Sequence, residues 1–325
     1  MGGDHGVKQE TTKTTPPRPI LAVCLNPALD MTYSVARLLH GNSHRVGHPL
    51  VRAGGKGVNV ARVLQQLDQP VRLLGFAGGP DGKSCTQDLK AGGLPSRLVP
   101  IAESTRRTVA VVDAADATVF NETGPTISAS EWAAFMEAFR HEAAASRWIV
   151  LSGSVPPGVP PIAYQQLISA AHTVGARCII DTEGIPLRKS LAANPDLAKP
   201  NVHEAAALFG RPLRGIPEIR QAAVELRQLG AKTVAISAGS TGTVLVSEDG
   251  AWHAKPQRRY QGNPTGAGDA LTASIASGLN RDLDWPTLLR EATATATAAV
   301  VAKTAGEIDE ATRHKAMADI VIEEI

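Results

Sequence analysis

The segment Asn263-Pro264-Thr265-Gly266-Ala267-Gly268-Asp269-Ala270 sets a carboxylate inside a Gly-rich turn directly before the helical run LTASIASGL. A helix N-terminus offers free backbone N–H groups and a partial positive charge, which suits anionic charge developing on a transferring phosphoryl group. Glycines at 266 and 268 let that backbone come close to a ligand. Asp269 falls in the first turn, where the helix dipole is expected to keep it ionised, and a carboxylate there can accept a proton from an attacking hydroxyl. Asp is also favoured at helix starts for capping alone. From these residues the turn reads equally well as a catalytic base or as a cap.

Three other groupings could carry chemistry. In Gly54-Gly55-Lys56-Gly57-Val58-Asn59 a lysine flanked by glycines can bring a point charge to a phosphate without crowding, or can stay solvated as most lysines do. In Asn201-Val202-His203-Glu204 the spacing of Asn201 and Glu204 fits a capping box before EAAALFG. Ala77-Gly78-Gly79-Pro80-Asp81-Gly82-Lys83-Ser84 fits a relaxed phosphate-binding loop with Lys83 as its cation. Against that loop, Pro80 removes a backbone donor and Asp81 repels phosphate. Gly92-Gly93 is also expected to end the following helix within about two turns.

These residues need a scaffold. Short β-rich runs (ILAVCL, VRLLGFAG, WIVLSG, RCIID, TVAIS) alternate with helical ones (VNVARVLQQL, WAAFMEAF, AYQQLISAAHTVG), which predicts an α/β fold of three layers around a parallel sheet. WIVLS and RCIID are apolar throughout, as strands buried on both faces are. Residues 31–52 and 97–121 break the rhythm, and TVAVVDAADATVF reads as two strands around a turn. Paired, the two excursions would form a small β-sheet lid over the carboxyl ends of the strands, where such folds bind ligands. Near the C-terminus, Asp284 and Pro286 open an Ala-rich helix through LLREATATATAAVVAK, expected to be a buried packing helix.

From residue 20 to about 306 these segments, in this order, resemble the ribokinase-like (PfkB) carbohydrate kinases, and residues 266–269 are similar to the family's Gly-Ala-Gly-Asp signature. The resemblance implies an ATP-dependent sugar kinase with Asp269 as base and the backbone of Gly266, Ala267 and Gly268 as anion hole. Leu25-Asn26-Pro27-Ala28-Leu29-Asp30 and residues 54–59 look like the phosphofructokinase branch. That branch implies sugar contacts from Asp30, Gly54, Gly55 and Asn59, and phosphate contacts from Lys56 and from Arg106 or its neighbour Arg107. Ser154 in Ser152-Gly153-Ser154-Val155-Pro156 is implied beside the sugar. Lys199, Asn201, Ser237, Gly239 and Thr265 are implied on the nucleotide side, with Asn201 and Glu204 organising magnesium through water. Glu183, Ala270 and Lys303-Thr304-Ala305-Gly306 depart from the family pattern at the sugar and adenine ends.

Two cations near a neutral sugar would have nothing to neutralise, so Lys56 with Arg106 predicts a phosphorylated acceptor. Fructose 1-phosphate giving fructose 1,6-bisphosphate leads by resemblance. Fructose 6-phosphate, tagatose 6-phosphate or an unphosphorylated sugar are the alternatives, and a non-catalytic sugar sensor is the rival from another class.

Over 325 residues, 43% are hydrophobic and 20% charged with a net charge of +2, which fits a globular core and gives no field for nucleic acid or anionic lipid. Residues 1–18 read as a disordered tail, and 19–325 as the kinase domain. Apolar runs are too short to cross a bilayer, and three scattered cysteines fit a reducing cytoplasm. Relatives imply a homodimer formed through the lid sheets, which would cover strand edges.

Overall fold

The computed structural model describes residues 18–113 and 117–325. The first half of the chain forms β1 (Ile20–Cys24), β2 (Ala28–Ser34), β3 (Leu50–Gly54), α1 (Lys56–Gln66), β4 (Val71–Ala77), α2 (Gly79–Ala91), β5 (Ser96–Pro100), β6 (Arg106–Val112) and β7 (Ala117–Asn121). It continues through α3 (Ala129–Ala144), β8 (Trp148–Ser152), α4 (Ala163–Thr173), β9 (Arg177–Asp181), α5 (Gly184–Ser190), β10 (Leu197–Ala198), α6 (Val202–Phe209) and α7 (Gly215–Gln228). The C-terminal part forms β11 (Thr233–Ser237), β12 (Thr243–Val246), β13 (Ala251–Pro256), α8 (Ala267–Asn280), α9 (Trp285–Val300), α10 (Glu310–Asp319) and β14 (Ile320–Glu324).

Ten strands make one sheet in the order β14-β13-β12-β11-β10-β9-β8-β1-β4-β5. From β11 to β5 every pairing is parallel. Beyond β11 the pairings turn antiparallel; the connections from β11 to β12 and from β12 to β13 are a few residues each, too short for the crossover a parallel strand requires, whereas β14 returns to β13 after α8, α9 and α10. The edge strand β14 had no counterpart in the sequence reading.

All five residues of β1 and of β8 are buried, and successive residues serve opposite faces. Leu21, Val23, Ile149 and Leu151 join the core under α3, α4 and α7. Ile20, Ala22, Cys24 and Val150 join the core under α1, α8 and α9. Burying a Leu or Ile side chain contributes roughly 1.5–3 kcal/mol, so these alternating faces anchor both helix layers. The Ala-rich helix is α9, capped by Asp284, whose side chain accepts from Thr287 N at 2.9 Å. It packs on α8 closely enough that a Cβ on Gly278 would stand 2.8 Å from Leu288 Cγ.

Four strands, in the order β3-β2-β6-β7, form a separate small sheet. Its first strand begins at Ala28, three residues before the expected excursion. Ser96–Pro100, expected at the start of the second excursion, instead pairs in parallel with β4 at the edge of the large sheet. The second lid segment therefore starts at Arg106. The expected tail, apart from Arg18, and residues 114–116 of the expected turn in TVAVVDAADATVF lie outside the described residues. Among the described residues no helix is long and apolar enough to cross a membrane.

Candidate active site

The sequence motifs converge because most follow a strand of the large sheet at its carboxyl end. Asn26 follows β1, Gly153 and Ser154 follow β8, Thr182 follows β9, and Lys199 follows β10. Ser237 ends β11 and bridges to Asn201. A carboxyl edge is where the loops of an α/β sheet open to ligands.

Gly266 adopts φ 87°, a left-handed conformation that starts α8 one residue later. A Cβ there would meet Ala305 Cα at 3.0 Å, so both the backbone and the packing require glycine. Asn263 Oδ1 accepts from Thr265 N at 2.9 Å, and Pro264 O accepts from Ala267 N at 3.1 Å. Asp269 lies in the first turn, buried, and its Oδ2 accepts from Asn59 Nδ2 at 2.8 Å. Burial and the negative charge of Asp181 push its carboxyl up to about 7, against Lys56, Asn59 and Lys199. The expectation that the helix terminus keeps Asp269 fully ionised is therefore not met: desolvation and a neighbouring anion outweigh the dipole. A group poised near neutrality suits proton transfer.

Behind the turn lies a buried charge cluster. Asp181, 1% exposed, stands between Lys199 Nζ at 3.4 Å from Oδ2 and Lys56 Nζ at 3.6 Å from Oδ1. Thr272 of α8 donates to Oδ2 at 2.7 Å. Burial alone would raise the Asp181 carboxyl, but Lys199, Lys56 and Thr272 hold it below the ordinary carboxylate range. Lys56 also faces Glu204 Oε1 at 3.6 Å, and Asp181 raises its ammonium pKa further despite burial. Lys199 is 2% exposed, its ammonium directly under the α8 turn, 3.7 Å from where a Cβ on Gly268 would stand. Asp181 closes the apolar run RCIID, and in sequence it stands out only as the acid that would partner Lys83 in the alternative phosphate loop; Thr272 carries no sequence signal. A carboxylate closing an otherwise apolar strand marks Asp181 for a partner, and the structure shows that the partners are Lys56 and Lys199.

Beside this cluster opens a cavity of about 800 Å3 whose lining includes Lys56, Arg106, Ser154 and Glu183. Asn26 organises it. Its side-chain amide donates to Ser154 Oγ and to Thr123 O, both at 3.0 Å, while its backbone carbonyl accepts from Arg106 Nε at 3.2 Å. Arg107, the other candidate, turns outward and donates to Asp81 at 2.8 Å. Asp30, Gly54, Gly55 and Asn59 are not part of that lining. Asp30 lies over Gly54, where any Cβ would collide with Oδ2 at 1.8 Å; burial raises its carboxyl, while Thr108 and Arg106 act against the rise. Gly55 caps α1 with φ 104°.

On the far side Asn201 and Glu204 form the full capping box of α6. Asn201 Oδ1 accepts from His203 N and Glu204 N at 2.9 Å, and Glu204 Oε2 accepts from Asn201 N at 2.8 Å. Glu204 Oε1 stays outside the cap. Among the described residues no group of three or more His, Cys, Asp or Glu is placed to hold a metal directly. Glu204 Oε1, outside the cap and 3.6 Å from Lys56 Nζ, is the carboxylate oxygen that would suit a magnesium ion keeping its waters. Gly239 starts a short turn after β11 and is exposed.

The alternative phosphate loop fails on geometry. Gly79 starts α2, Pro80 has no N–H, Gly78 N donates to Thr105 Oγ1 at 3.1 Å and Gly82 N to Gly78 O at 3.0 Å, so few donors remain for a phosphate, and Lys83 is exposed. The helix runs on to Ala91, 13 residues in all, longer than the glycine pair suggested.

Residues 23–312 match the model of the pfkB family of carbohydrate kinases. The 1-phosphofructokinase of Rhodobacter capsulatus is 35% identical over 280 residues, covering 85% of this chain and 88% of that protein. The 1-phosphofructokinase of Vibrio cholerae is 33% identical over 282 residues, covering 86% and 89%. Among solved structures, phosphofructokinase-2 of Escherichia coli in complex with potassium superimposes with a TM-score of 0.87 at 28% identity, covering 93% of this chain and 98% of that one. The same enzyme has been solved in complex with fructose-6-phosphate.

Proposed function

The chain belongs to the pfkB family and is an ATP-dependent carbohydrate kinase, and from that premise we propose that it phosphorylates a ketohexose phosphate, fructose 1-phosphate first among them. The observation that carries this reading is one cavity lined by both Lys56 and Arg106, with Lys56 also acting on the Asp269 cluster. A phosphorylated acceptor neutralises the cationic end, which leaves a primary hydroxyl to reach the base. The names of the curated relatives favour fructose 1-phosphate, and the fructose-6-phosphate complex of the structural relative makes that isomer the second candidate.

Asp269 takes the hydroxyl proton as the oxygen bonds to the γ-phosphorus and the bond to ADP breaks. Ala267 N–H, expected in the anion hole, is already bonded to Pro264 O at 3.1 Å, so the backbone N–H groups at Gly266 and Gly268 are left to meet the charge on the equatorial oxygens. Lys199, Thr265, Ser237 and Gly239 border the nucleotide. Asn201 and Glu204 would hold magnesium through its waters, and the ion when bound supplies charge neutralisation on the ATP phosphates. The small sheet, closing over the acceptor, excludes water from the transfer. It also exposes Leu50, Val51, Val119 and Phe120, at 41–61%, which supports a homodimer through the lids. A monomer by sizing at micromolar concentration would end that part of the proposal.

The test is ADP release with magnesium-ATP against fructose 1-phosphate, fructose 6-phosphate, tagatose 6-phosphate and unphosphorylated hexoses. Turnover on a ketohexose phosphate is expected, with Asp269→Asn lowering kcat by about 10^2–10^4. Arg106→Gln should raise KM for the phosphosugar by roughly tenfold or more with kcat little changed, and Arg107→Gln should leave both near wild type. Turnover of neutral sugars alone would remove the assigned roles of Lys56 and Arg106. Sugar binding without turnover of any acceptor would favour the sensor.

A further inference from the structure

Asn59 lies one turn into α1, buried, with its backbone N–H bonded to Gly55 O at 3.0 Å. Its side chain is spoken for on both sides. The amide donates to Asp269 Oδ2 at 2.8 Å, and the carbonyl end is backed by Gly306, where a Cβ would stand only 3.0 Å from Asn59 Oδ1. Gly306, at φ 78°, is itself tied to α1 through Gln66 Nε2, which donates to its carbonyl at 2.8 Å. The neighbouring Ala305 packs against Gly266 at the start of α8. One short segment thus braces both the turn that carries the base and the side chain that bonds the base.

We propose that Asn59 is a positioning residue for Asp269: it fixes the orientation of the carboxylate, engages Oδ2, and favours the ionised, proton-accepting form. This rests on the reading of Asp269 as base. With Oδ2 engaged, the proton of the acceptor hydroxyl goes to Oδ1. The charges facing Asp269 come from three elements: Lys56 at the start of α1, Asp181 at the end of β9, and Lys199 after β10. Ala305 and Gly306, which pack beside its turn, add none. Burial and Asp181 push the Asp269 carboxyl up to about 7, so a donor on Oδ2 that favours ionisation decides how much base is present at neutral pH.

The sign follows directly. A hydrogen bond to the charged form lowers a carboxylate pKa, so removing the donor raises it. In Asn59→Ala, and in the nearly isosteric Asn59→Asp that removes the donor and adds a like charge, the ascending limb of kcat/KM against pH should move up by about one unit or more. Much of the turnover lost at pH 7 should return at pH 9. A residue that serves only as a sugar contact would raise KM and leave the limb where it was, and that outcome overturns the proposal. A second readout needs no turnover: carbon-13 NMR titration of the carboxyl groups, with Asp269 assigned by the signal missing in Asp269→Asn. An upward shift of that midpoint in both Asn59 variants supports the positioning role even if no phosphosugar is turned over, in which case the kinase reading alone fails. An unmoved midpoint in folded Asn59→Asp sinks it.

Discussion

The carboxyl end of β9 and the first turn of α8 each bring one aspartate into the same buried cluster, and the two respond in opposite ways. Asp181 is held below the ordinary carboxylate range, while Asp269 is pushed up to about 7. Both are desolvated, so burial does not separate them. Partners do: Asp181 has Lys199 and Lys56 on its two oxygens and Thr272 besides, whereas Asp269 has one amide and a view of Asp181's charge. One carboxylate is fixed as an anion that holds two lysines in place, and the other is left able to take and return a proton. Pairs of titratable groups pushed apart in this way mark division of labour in acid–base sites.

The sharpest way to break the pairing is Asp181→Asn. Lys199 is buried and would lose its countercharge, which costs about 3–5 kcal/mol of stability in urea titrations. The same change removes the anion that raises Asp269, so the Asp269 midpoint should fall below 7. Unchanged stability together with an unmoved midpoint would show that the two carboxylates do not sense each other.

Asp269→Asn tests the other member. Its carboxyl is raised in the folded chain from the ordinary 3.8 to about 7. A raised group contributes stability that is present below the unfolded value and is lost as pH rises through the folded one. The neutral variant should therefore match wild type near pH 3.5, gain on it between about pH 4 and 7, and hold a plateau of a few kcal/mol above that. Comparing Tm at pH 5 and pH 8 reads this directly. A variant less stable than wild type at pH 8 would mean that the ionised carboxylate is welcome in the folded site.

Asp269 was legible because its turn is contiguous: Gly266, Gly268 and the helix behind them stand side by side in the chain. Its protonation was not legible, because desolvation and the approach of Asp181 come from tertiary packing. The partners of Asp181 are equally hidden, since Thr272 lies 91 residues away and the Asn59–Asp269 bond spans 210. Arg106 and Arg107 are neighbours on β6, and strand alternation sends one into the cavity and the other toward Asp81. Alternation states that they differ, and only the pairing of Ala28 with Arg106 fixes which is which. Strands β1, β4, β8, β9 and β11 were readable from apolar runs, but β10 spans only two residues and β14, with sequence IVIEE, carries too much charge to look like part of a core sheet.

The mildest probe is Thr272→Val, which keeps the shape of the side chain and deletes one hydroxyl. Thr272 Oγ1 lies 2.7 Å from Asp181 Oδ2 and 2.9 Å from Gly268 O, and its single proton goes to the carboxylate as the stronger acceptor. A bond to a charged group contributes about 1.5–3 kcal/mol, less whatever the two lysines recover by drawing closer. Asp181 is a depressed carboxyl, so the stability it contributes is present above the ordinary value of 3.8 and is lost as pH falls through the lowered one. The variant should accordingly be weaker than wild type at pH 7 and converge with it in strong acid. Because the lost proton donor faces Asp181 and not the base, the Asp269 midpoint should move by no more than a few tenths of a unit. If the midpoint moved as far as in Asp181→Asn, α8 itself would be transmitting the change, and the two carboxylates would have to be treated as one titrating unit.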